Sequence, residues 1–174
     1  MQKTIQENVM RDISVEKITL NCGTAGPGER LEKSLKLLQK ISGMKPVSRK
    51  TEKRIPTWSV RPGLELGCMV TIRREKAIKL LKSFFIGKKN QIKESCFDDN
   101  GNFAFGFHEY LDVPGIEYDH EIGIIGFEVA VTLQRKGFRI RRRAAHKKSI
   151  PRKHKITKED AINYIKKEYG VSII

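Results

Sequence analysis

The chain has 174 residues, a formal net charge of +15 and 39% hydrophobic residues, which is enough apolar material for a single folded domain. A surface this basic attracts polyanions, nucleic acid before anionic membrane. Met1–Glu7 lacks the apolar stretch of a signal peptide, and no run approaches the ~18 apolar residues of a membrane span. The three cysteines are odd in number and far apart, so we expect no disulfide framework and a reducing, cytoplasmic location.

Hydrophobic periodicity predicts the elements in the first part of the chain. An irregular polar lead-in covers residues 1–14, and alternation over residues 17–22 predicts a half-buried strand. A helix is predicted over residues 29–42, with a glycine directly after it as the C-terminal stop. A short strand at 46–49 then leads into a long basic loop at 49–63, which is rich in proline and glycine.

The remaining elements alternate between strands and helices. Residues 64–73 and 127–133 alternate as strands, and residues 74–85 have the spacing of a helix that buries Ala77, Ile78, Leu81 and Phe85. A last helix begins near Thr157, which has Asp160 three residues on as a capping partner.

The predicted strands are apolar on one side only, and this pattern decides the fold class. Strands of this kind, interleaved with three helices, predict an α+β fold: a largely antiparallel sheet with helices packed on one face. The outward side of the strands carries polar residues, which leaves that side available to bind RNA. The candidate ligands on it are Lys17, Asn21, Thr71 and Arg73.

The positive charge is concentrated near the C-terminus. Twelve basic residues and no acidic residue lie between Arg135 and Lys158, whereas the rest of the chain has 23 basic and 20 acidic residues. Like charges this close repel one another, so we expect a polyanionic partner to order the basic tract (residues 135–158) rather than a flexible solubilising tail. Phosphate binding there gains from counterion release and from the guanidinium forks of arginine. The candidate phosphate ligands are Arg139, Arg141, Arg142, Arg143, Lys147 and Lys148.

The basic loop is the second cationic segment. Arg49 and Lys50 at its start are candidate RNA ligands, and further along it the only tryptophan, Trp58, stands among cations. Trp58 either stacks on a base or ribose or caps the core from the loop, and the sequence leaves both interpretations open. The loop's candidate RNA contacts are Lys53, Arg54, Trp58 and Arg61.

Motifs for enzymatic chemistry fail on spacing. Gly23-x-x-Gly26-x-Gly28 lacks the Gly-Lys-Ser/Thr ending of a phosphate loop, and the four histidines lack metal-ligand spacing with cysteine. The acidic cluster over residues 109–121 has no basic or nucleophilic partner in sequence, which favours a solvated or protein-contacting segment. Phe103-x-Phe-x-Phe107 departs from the RNA-recognition motif, so burial is the favoured interpretation. We expect no enzyme activity, no metal and no cofactor.

Seven motifs run in order through nearly the whole chain. They are Met10-Arg-Asp-Ile-x-Val-x-Lys-Ile-Thr-Leu-Asn21, Gly28-Glu-Arg-Leu31, Ser42-Gly-x-x-Pro-Val47, Thr71-Ile-Arg73, Gly101-Asn-Phe-x-Phe-Gly106, Tyr118-Asp-x-x-Ile-Gly-Ile-x-Gly-Phe127 and His154-Lys-Ile-Thr-Lys-Glu-Asp-Ala161. Together they resemble the universal large-subunit ribosomal protein family called "L-five" in bacteria and archaea and "L-eleven" in eukaryotes. The basic tract and last helix are more similar to the archaeal and eukaryotic branch.

The resemblance implies a twisted antiparallel sheet with helices behind it. It implies binding to 5S rRNA and adjacent large-subunit rRNA in the central protuberance, near the P-site tRNA, neighbouring ribosomal proteins and a protein of the small-subunit head. Asn21 and Thr71 match positions that touch 5S rRNA, and the loop at 53–63 matches one that reaches toward the tRNA elbow. Val9 and Met44 stand where the family usually has proline and glutamine. The alternative is a regulatory RNA-binding protein that acts off the ribosome.

Overall fold

A strand of eleven residues, β1 (Ile13–Gly23), lies at the centre of the main sheet in the computed structural model, which describes residues 8–174. β1 pairs with β3 (Glu65–Arg73) on one side and with β6 (Phe127–Arg135) on the other. β2 (Val47–Lys50) and β5 (Phe103–Phe107) form the edges, which gives the order β2-β3-β1-β6-β5 with every neighbouring pair antiparallel.

Helices follow the strands in chain order. α1 (Glu29–Ser42), α2 (Arg74–Gly87) and α4 (Lys158–Tyr169) supply buried residues to the core beneath the sheet. The α+β class and the antiparallel sheet are therefore confirmed. The structure adds a one-turn helix, α3 (Arg139–Arg142), and a small parallel pair of β4 (Gln91–Ile92) with β7 (Ser172–Ile173). These three elements are too short to show a hydrophobic period, so the sequence did not predict them.

Local capping chemistry explains the ends of the helices. α1 has the predicted bounds and ends at Gly43, whose φ of 62° is the left-handed conformation that glycine adopts without a Cβ clash. α4 begins with a complete capping box. The Asp160 N–H donates to Thr157 Oγ1, and the Thr157 N–H donates to Asp160 Oδ2. The prediction of an N-cap at Thr157 is confirmed.

Strand register aligns the core residues in rows across the sheet. Ile18 lies opposite Ile72 on one side and Val131 on the other, and Val131 in turn lies opposite Phe103. The three phenylalanines of β5 are 2–8% exposed and pack among the rings of Phe84, Phe85, Phe97 and Phe127. Their burial confirms the core interpretation of the Phe-x-Phe-x-Phe strand over stacking on RNA.

Three expectations about bounds and burial were wrong. The first long strand begins at Ile13 rather than Lys17, because a β-bulge at Glu16, between Val15 and Lys17, interrupts the alternation. The lead-in also contains a 3₁₀ turn at Val9–Arg11, while residues 1–7 lie outside the described part. In α2, Ile78 is 39% exposed and Phe84 takes the buried place, because the apolar face is rotated toward β5.

The fold brings together two cysteines that are far apart in sequence. Cys22 and Cys68 are direct partners across β1 and β3, and both are buried free thiols. The Cys22 thiol also donates to Ser34 Oγ at 3.3 Å. Hydrogen bonding to Cys22 and burial raise the pKa of the Cys68 thiol well above its ordinary value. Burial and a raised pKa are typical of a structural rather than a reactive cysteine, which is how we interpret Cys68.

Candidate nucleic-acid interface

The side of the main sheet turned away from the core, here called the open face, carries the alternate residues of each strand. Lys17 lies opposite Arg73, and Thr71 lies opposite Thr19. Asn21 lies two residues beyond Thr19 and is exposed. The structure therefore places all four residues predicted on the outward strand side, namely Lys17, Asn21, Thr71 and Arg73, on one continuous surface.

The half of the open face formed by β5 and β6 carries only small residues on β5 and a mixture of small and long residues on β6. Ala104 lies opposite Ala130, and Gly106 lies opposite Glu128. Asn21 on β1 donates from Nδ2 to Glu128 Oε2 at 3.1 Å, so its amide is already oriented across the sheet. Small side chains let a sugar or phosphate approach the strand backbone, which a surface of long side chains would prevent.

A single carboxylate organises the cationic end of the open face. Glu16, the bulged residue of β1, has a side chain only 13% exposed. It accepts from Arg73 Nη1 at 3.2 Å and also from Arg142 of α3, whose other Nη donates to Gln134 Oε1 at 2.8 Å. The bulge thus fixes two guanidinium groups from distant segments on one carboxylate, and about half of each arginine side chain stays exposed, 51% for Arg73 and 46% for Arg142.

The edge strand β2 contains both candidate ligands at the start of the basic loop. Arg49 is the last residue of the predicted short strand, and β2 extends one residue further to Lys50. Both are exposed, and Lys50 Nζ lies 3.6 Å from Glu65 Oε1. Arg49 pairs with Gly67, so its position continues the open face to the edge of the sheet.

The basic loop is folded on itself. Ile55 and Val60 exchange backbone hydrogen bonds across a 3₁₀ turn at Pro56–Trp58, and Thr51 Oγ1 donates to the Arg61 carbonyl at 2.8 Å. Trp58 is 74% exposed at the tip, so the interpretation that it caps the core was wrong. Lys53, Arg54 and Arg61 are exposed around it.

The basic tract lacks acidic residues in sequence, but its cations find acids elsewhere in the fold. The best buried of them is Arg135, which donates to Asp160 Oδ2 at 2.9 Å and to the Lys155 carbonyl at 3.1 Å. Three further ion pairs are Lys136 with Asp12, Arg142 with Glu16 and Lys158 with Glu94. The expectation that only an external polyanion would order this tract was therefore incomplete, because four of its charges are neutralised internally.

The other candidate ligands of the tract remain exposed. Within residues 8–174, Arg139, Arg141, Lys147 and Lys148 have no carboxylate at ion-pair distance. Arg143 differs, because its guanidinium donates twice to the His146 carbonyl, at 2.9 and 2.7 Å, and so fixes the loop that follows α3. The tract therefore combines residues that hold its shape with residues that present free positive charge.

The acidic cluster at 109–121 lies against α1. Lys36 binds Glu121 at 2.6 Å and Lys40 binds Asp119 at 3.1 Å. The bond from Lys40 lowers the pKa of Asp119, and the bond to Glu121 raises the pKa of Lys36. These contacts give the carboxylates a structural partner. In the described range no three His, Cys, Asp or Glu side chains are grouped as a metal site, and no helix has the length and hydropathy to cross a membrane.

Two structural features of this surface cannot be seen in the sequence. The role of Glu16 depends on a bulge, which leaves no signal beyond a broken alternation. The pairing of Arg135 with Asp160 joins β6 to α4, and only the final packing brings the two together.

Comparison with known proteins agrees with this geometry. The family model described as Ribosomal protein L5 matches residues 8–61, and the model of the C-terminus of the same ribosomal family matches residues 65–164. Relatives named Large ribosomal subunit protein uL5 are 44% identical in Sulfolobus acidocaldarius over 174 residues and 44% identical in Nanoarchaeum equitans over 169 residues. These matches cover 100% and 97% of this chain, and 98% and 99% of the relatives. The chain therefore belongs to the ribosomal protein L5 family, as its motifs predicted, and is a structural protein of the large ribosomal subunit rather than an enzyme.

Proposed function

We propose that this protein binds 5S rRNA through the open face and adjacent large-subunit rRNA through the basic tract, in the central protuberance of the large subunit. The observation that carries the proposal is the placement of Lys17, Asn21, Thr71 and Arg73 on one uncovered polar face. Hydroxyl and amide groups supply directional contacts, and the cations supply phosphate attraction. The free cations of the tract extend this surface toward a second RNA segment.

The charge distribution gives the open face and the basic tract different roles in RNA binding. Outside the tract the chain is nearly balanced, with 23 basic and 20 acidic residues, so the open face depends on geometry more than on total charge. The tract has the opposite character, since eight of its twelve cations have no carboxylate partner within residues 8–174 and attract any polyanion. We infer that the open face selects the RNA and that the tract strengthens its attachment.

The test is the identity of the RNA that the protein carries. Affinity purification of the tagged chain from cells, followed by RNA sequencing, should enrich 5S rRNA, whereas recovery of only messenger or transfer RNA would contradict the proposal. Sedimentation of the same lysate separates the off-ribosome alternative. A main population outside the large subunit would favour a free regulatory RNA-binding protein.

We further propose that the basic loop approaches the P-site tRNA and that neighbouring proteins, including one of the small-subunit head, lie close by. Trp58 at the loop tip combines an exposed aromatic face with the cations Lys53, Arg54 and Arg61, which suits contact with a ribose or phosphate. A photoreactive side chain in place of Trp58 should crosslink to tRNA in assembled ribosomes carrying P-site tRNA. Crosslinks to ribosomal protein alone would contradict tRNA contact.

Thr71→Val is expected to weaken binding to 5S rRNA by about threefold to tenfold, the worth of one hydrogen bond. The change keeps the side chain's shape in β3 and removes one hydroxyl without altering charge. Binding to an unrelated duplex RNA should stay the same, as measured by filter binding at fixed salt. Thr57→Val in the basic loop is the control, and an equal loss in both variants would contradict a specific role for Thr71.

Glu16→Ala is expected to weaken 5S rRNA binding by about threefold to tenfold although it makes the protein more positive. Without the Glu16 carboxylate, the Arg73 and Arg142 side chains lose the partner that orders them in the protein. RNA binding must then order both side chains, which costs conformational entropy. Glu75→Ala, an exposed acid on α2, makes the same charge change away from the open face and should bind as well as the parent or better. Tighter binding by both variants would show that Glu16 only repels RNA.

A further inference from the structure

The basic tract folds around a cavity of about 450 Å³, within the ~300–1,000 Å³ typical of small-ligand sites. Its apolar wall is formed by Phe138, Ile150 and Ile156. Ile150 and Ile156 are 8% and 2% exposed, so they form a fixed base, while Phe138 is only partly buried. A cavity with an apolar wall is unusual inside a segment this rich in cations.

The rim of the cavity carries the opposite chemistry. Arg141, Lys147, Lys148 and Lys155 surround it, and all four are exposed. None of them has a carboxylate at ion-pair distance within the described part of the chain. The side chain of Asn100 adds a group that can both donate and accept hydrogen bonds.

The shape of the cavity is set by contacts within the protein. The Lys148 N–H donates to the Ile140 carbonyl at 3.3 Å, and Arg143 holds the His146 carbonyl, so the turn that carries the lysines is closed onto α3. The ring of Phe138 is 5.8 Å from that of His154 in an edge-on arrangement. Contacts within the protein therefore hold both the apolar wall and the cationic rim in place.

We propose that this cavity binds one nucleotide extruded from an RNA stem, with its base against Phe138 and its flanking phosphates on Arg141, Lys147 and Lys148. A base is an apolar ring with polar edges and phosphates on both sides, which is the combination that the wall, Asn100 and the rim match. A regular duplex offers phosphates but no free base, so it would leave the wall unused. The inference rests on the proposed rRNA binding and deepens it by naming the RNA feature that the tract selects.

The experiment compares three hairpin RNAs of equal stem: fully paired, with one unpaired bulged nucleotide, and with an abasic residue at the bulge. Fluorescence anisotropy with the full chain should show the bulged hairpin bound about tenfold more tightly than the other two. Phe138→Leu keeps an apolar side chain in the wall and should reduce that preference below about twofold, with affinity for the paired hairpin unchanged. Tyr118→Leu removes a 49% exposed aromatic in the acidic cluster at 109–121, outside the proposed RNA surfaces, and should retain the full preference.

Two further arms keep the test decisive. Asn100 lies in an exposed turn, and Asn100→Ala should reduce the preference for the bulged hairpin by at least half. This result stands even if Phe138→Leu proves unstable in thermal unfolding. Equal binding of the abasic and bulged hairpins, or a preference that survives both variants, would overturn the proposal. Binding to 5S rRNA is measured in parallel: if it persists while the bulge preference is absent, only the nucleotide site fails, and if it is lost, the proposed function fails.

Discussion

Replacing Asp160 with alanine is expected to lower the free energy of unfolding by about 3 kcal/mol. The Arg135 side chain is 9% exposed, and Asp160 is its only carboxylate partner among residues 8–174. Without Asp160 a buried guanidinium keeps only the Lys155 carbonyl, and its Nε already has no hydrogen-bond partner. The figure is at the low end for a broken buried pair because Asp160 is itself 39% exposed. Urea denaturation followed by circular dichroism measures it.

Glu159→Ala is the matched control for this prediction. It removes an acidic residue from the same first turn of α4, but Glu159 is exposed and has no ion pair in the described structure. A loss of about 0.3–1 kcal/mol is expected from the helix dipole alone. The double variant Arg135→Met/Asp160→Ala should recover the part of the loss that comes from the buried charge, but not the part that comes from the capping-box bond to the Thr157 N–H. Equal losses for Asp160→Ala and Glu159→Ala would contradict the structural role of the pair.

Replacing Arg141, Arg142 and Arg143 together with alanine is expected to have the largest effect on RNA binding. Removing one arginine–phosphate interaction should lower the slope of log K against log salt concentration by roughly 0.7–0.9, so the slope falls by about 2. The fall corresponds to Arg141 and Arg143, because Arg142 is already paired with the Glu16 carboxylate, whereas the neutral His146 carbonyl leaves the charge of Arg143 in place. The triple variant should also loosen the turn that carries Lys147 and Lys148. Filter binding of large-subunit rRNA fragments at salt concentrations from about 50 to about 200 mM measures both changes.

A control with the same charge change distinguishes this role from general electrostatics. Lys76, Lys79 and Lys82 are exposed on α2, so their replacement by alanine also removes three positive charges. The slope should then change by less than about 0.5, roughly half the effect of a single phosphate interaction. If both triple variants flatten the slope equally, the tract acts only through net charge and makes no defined phosphate interactions.

The sequence predictions were correct where the structure depends on interactions between residues that are close in the sequence. α1 and its Gly43 stop, and α4 with its Thr157 cap, were predicted correctly because each depends on residues within one or two turns. The alternation of β3, β5 and β6 gave their inward faces for the same reason, since each residue's side is fixed by its own strand. These local rules were enough to place Thr71 and Arg73 on the open face.

Predictions that depended on distant residues were incomplete. Trp58 was equally compatible with a core cap and an exposed tip, because a loop's direction is set by the backbone pairing of Ile55 with Val60. Ile78 fits the helical period of a buried residue, yet the packing of Phe84 against Phe107 rotates that face toward solvent. Neither outcome has a signature in the residues that lie close by in the sequence.

The sequence by itself determined the α+β class, the position of the basic tract and membership of the ribosomal L5 family, since all three are properties of residue order and composition. Tertiary structure alone decided which cations of the tract are available. Arg135 is paired with Asp160 and Arg142 with Glu16, whereas Arg141 and Lys148 have no carboxylate partner within residues 8–174 and line a cavity. The physical reason is that charge neutralisation depends on distance in space, and strand pairing and a β-bulge bring together acids and bases that the sequence keeps apart.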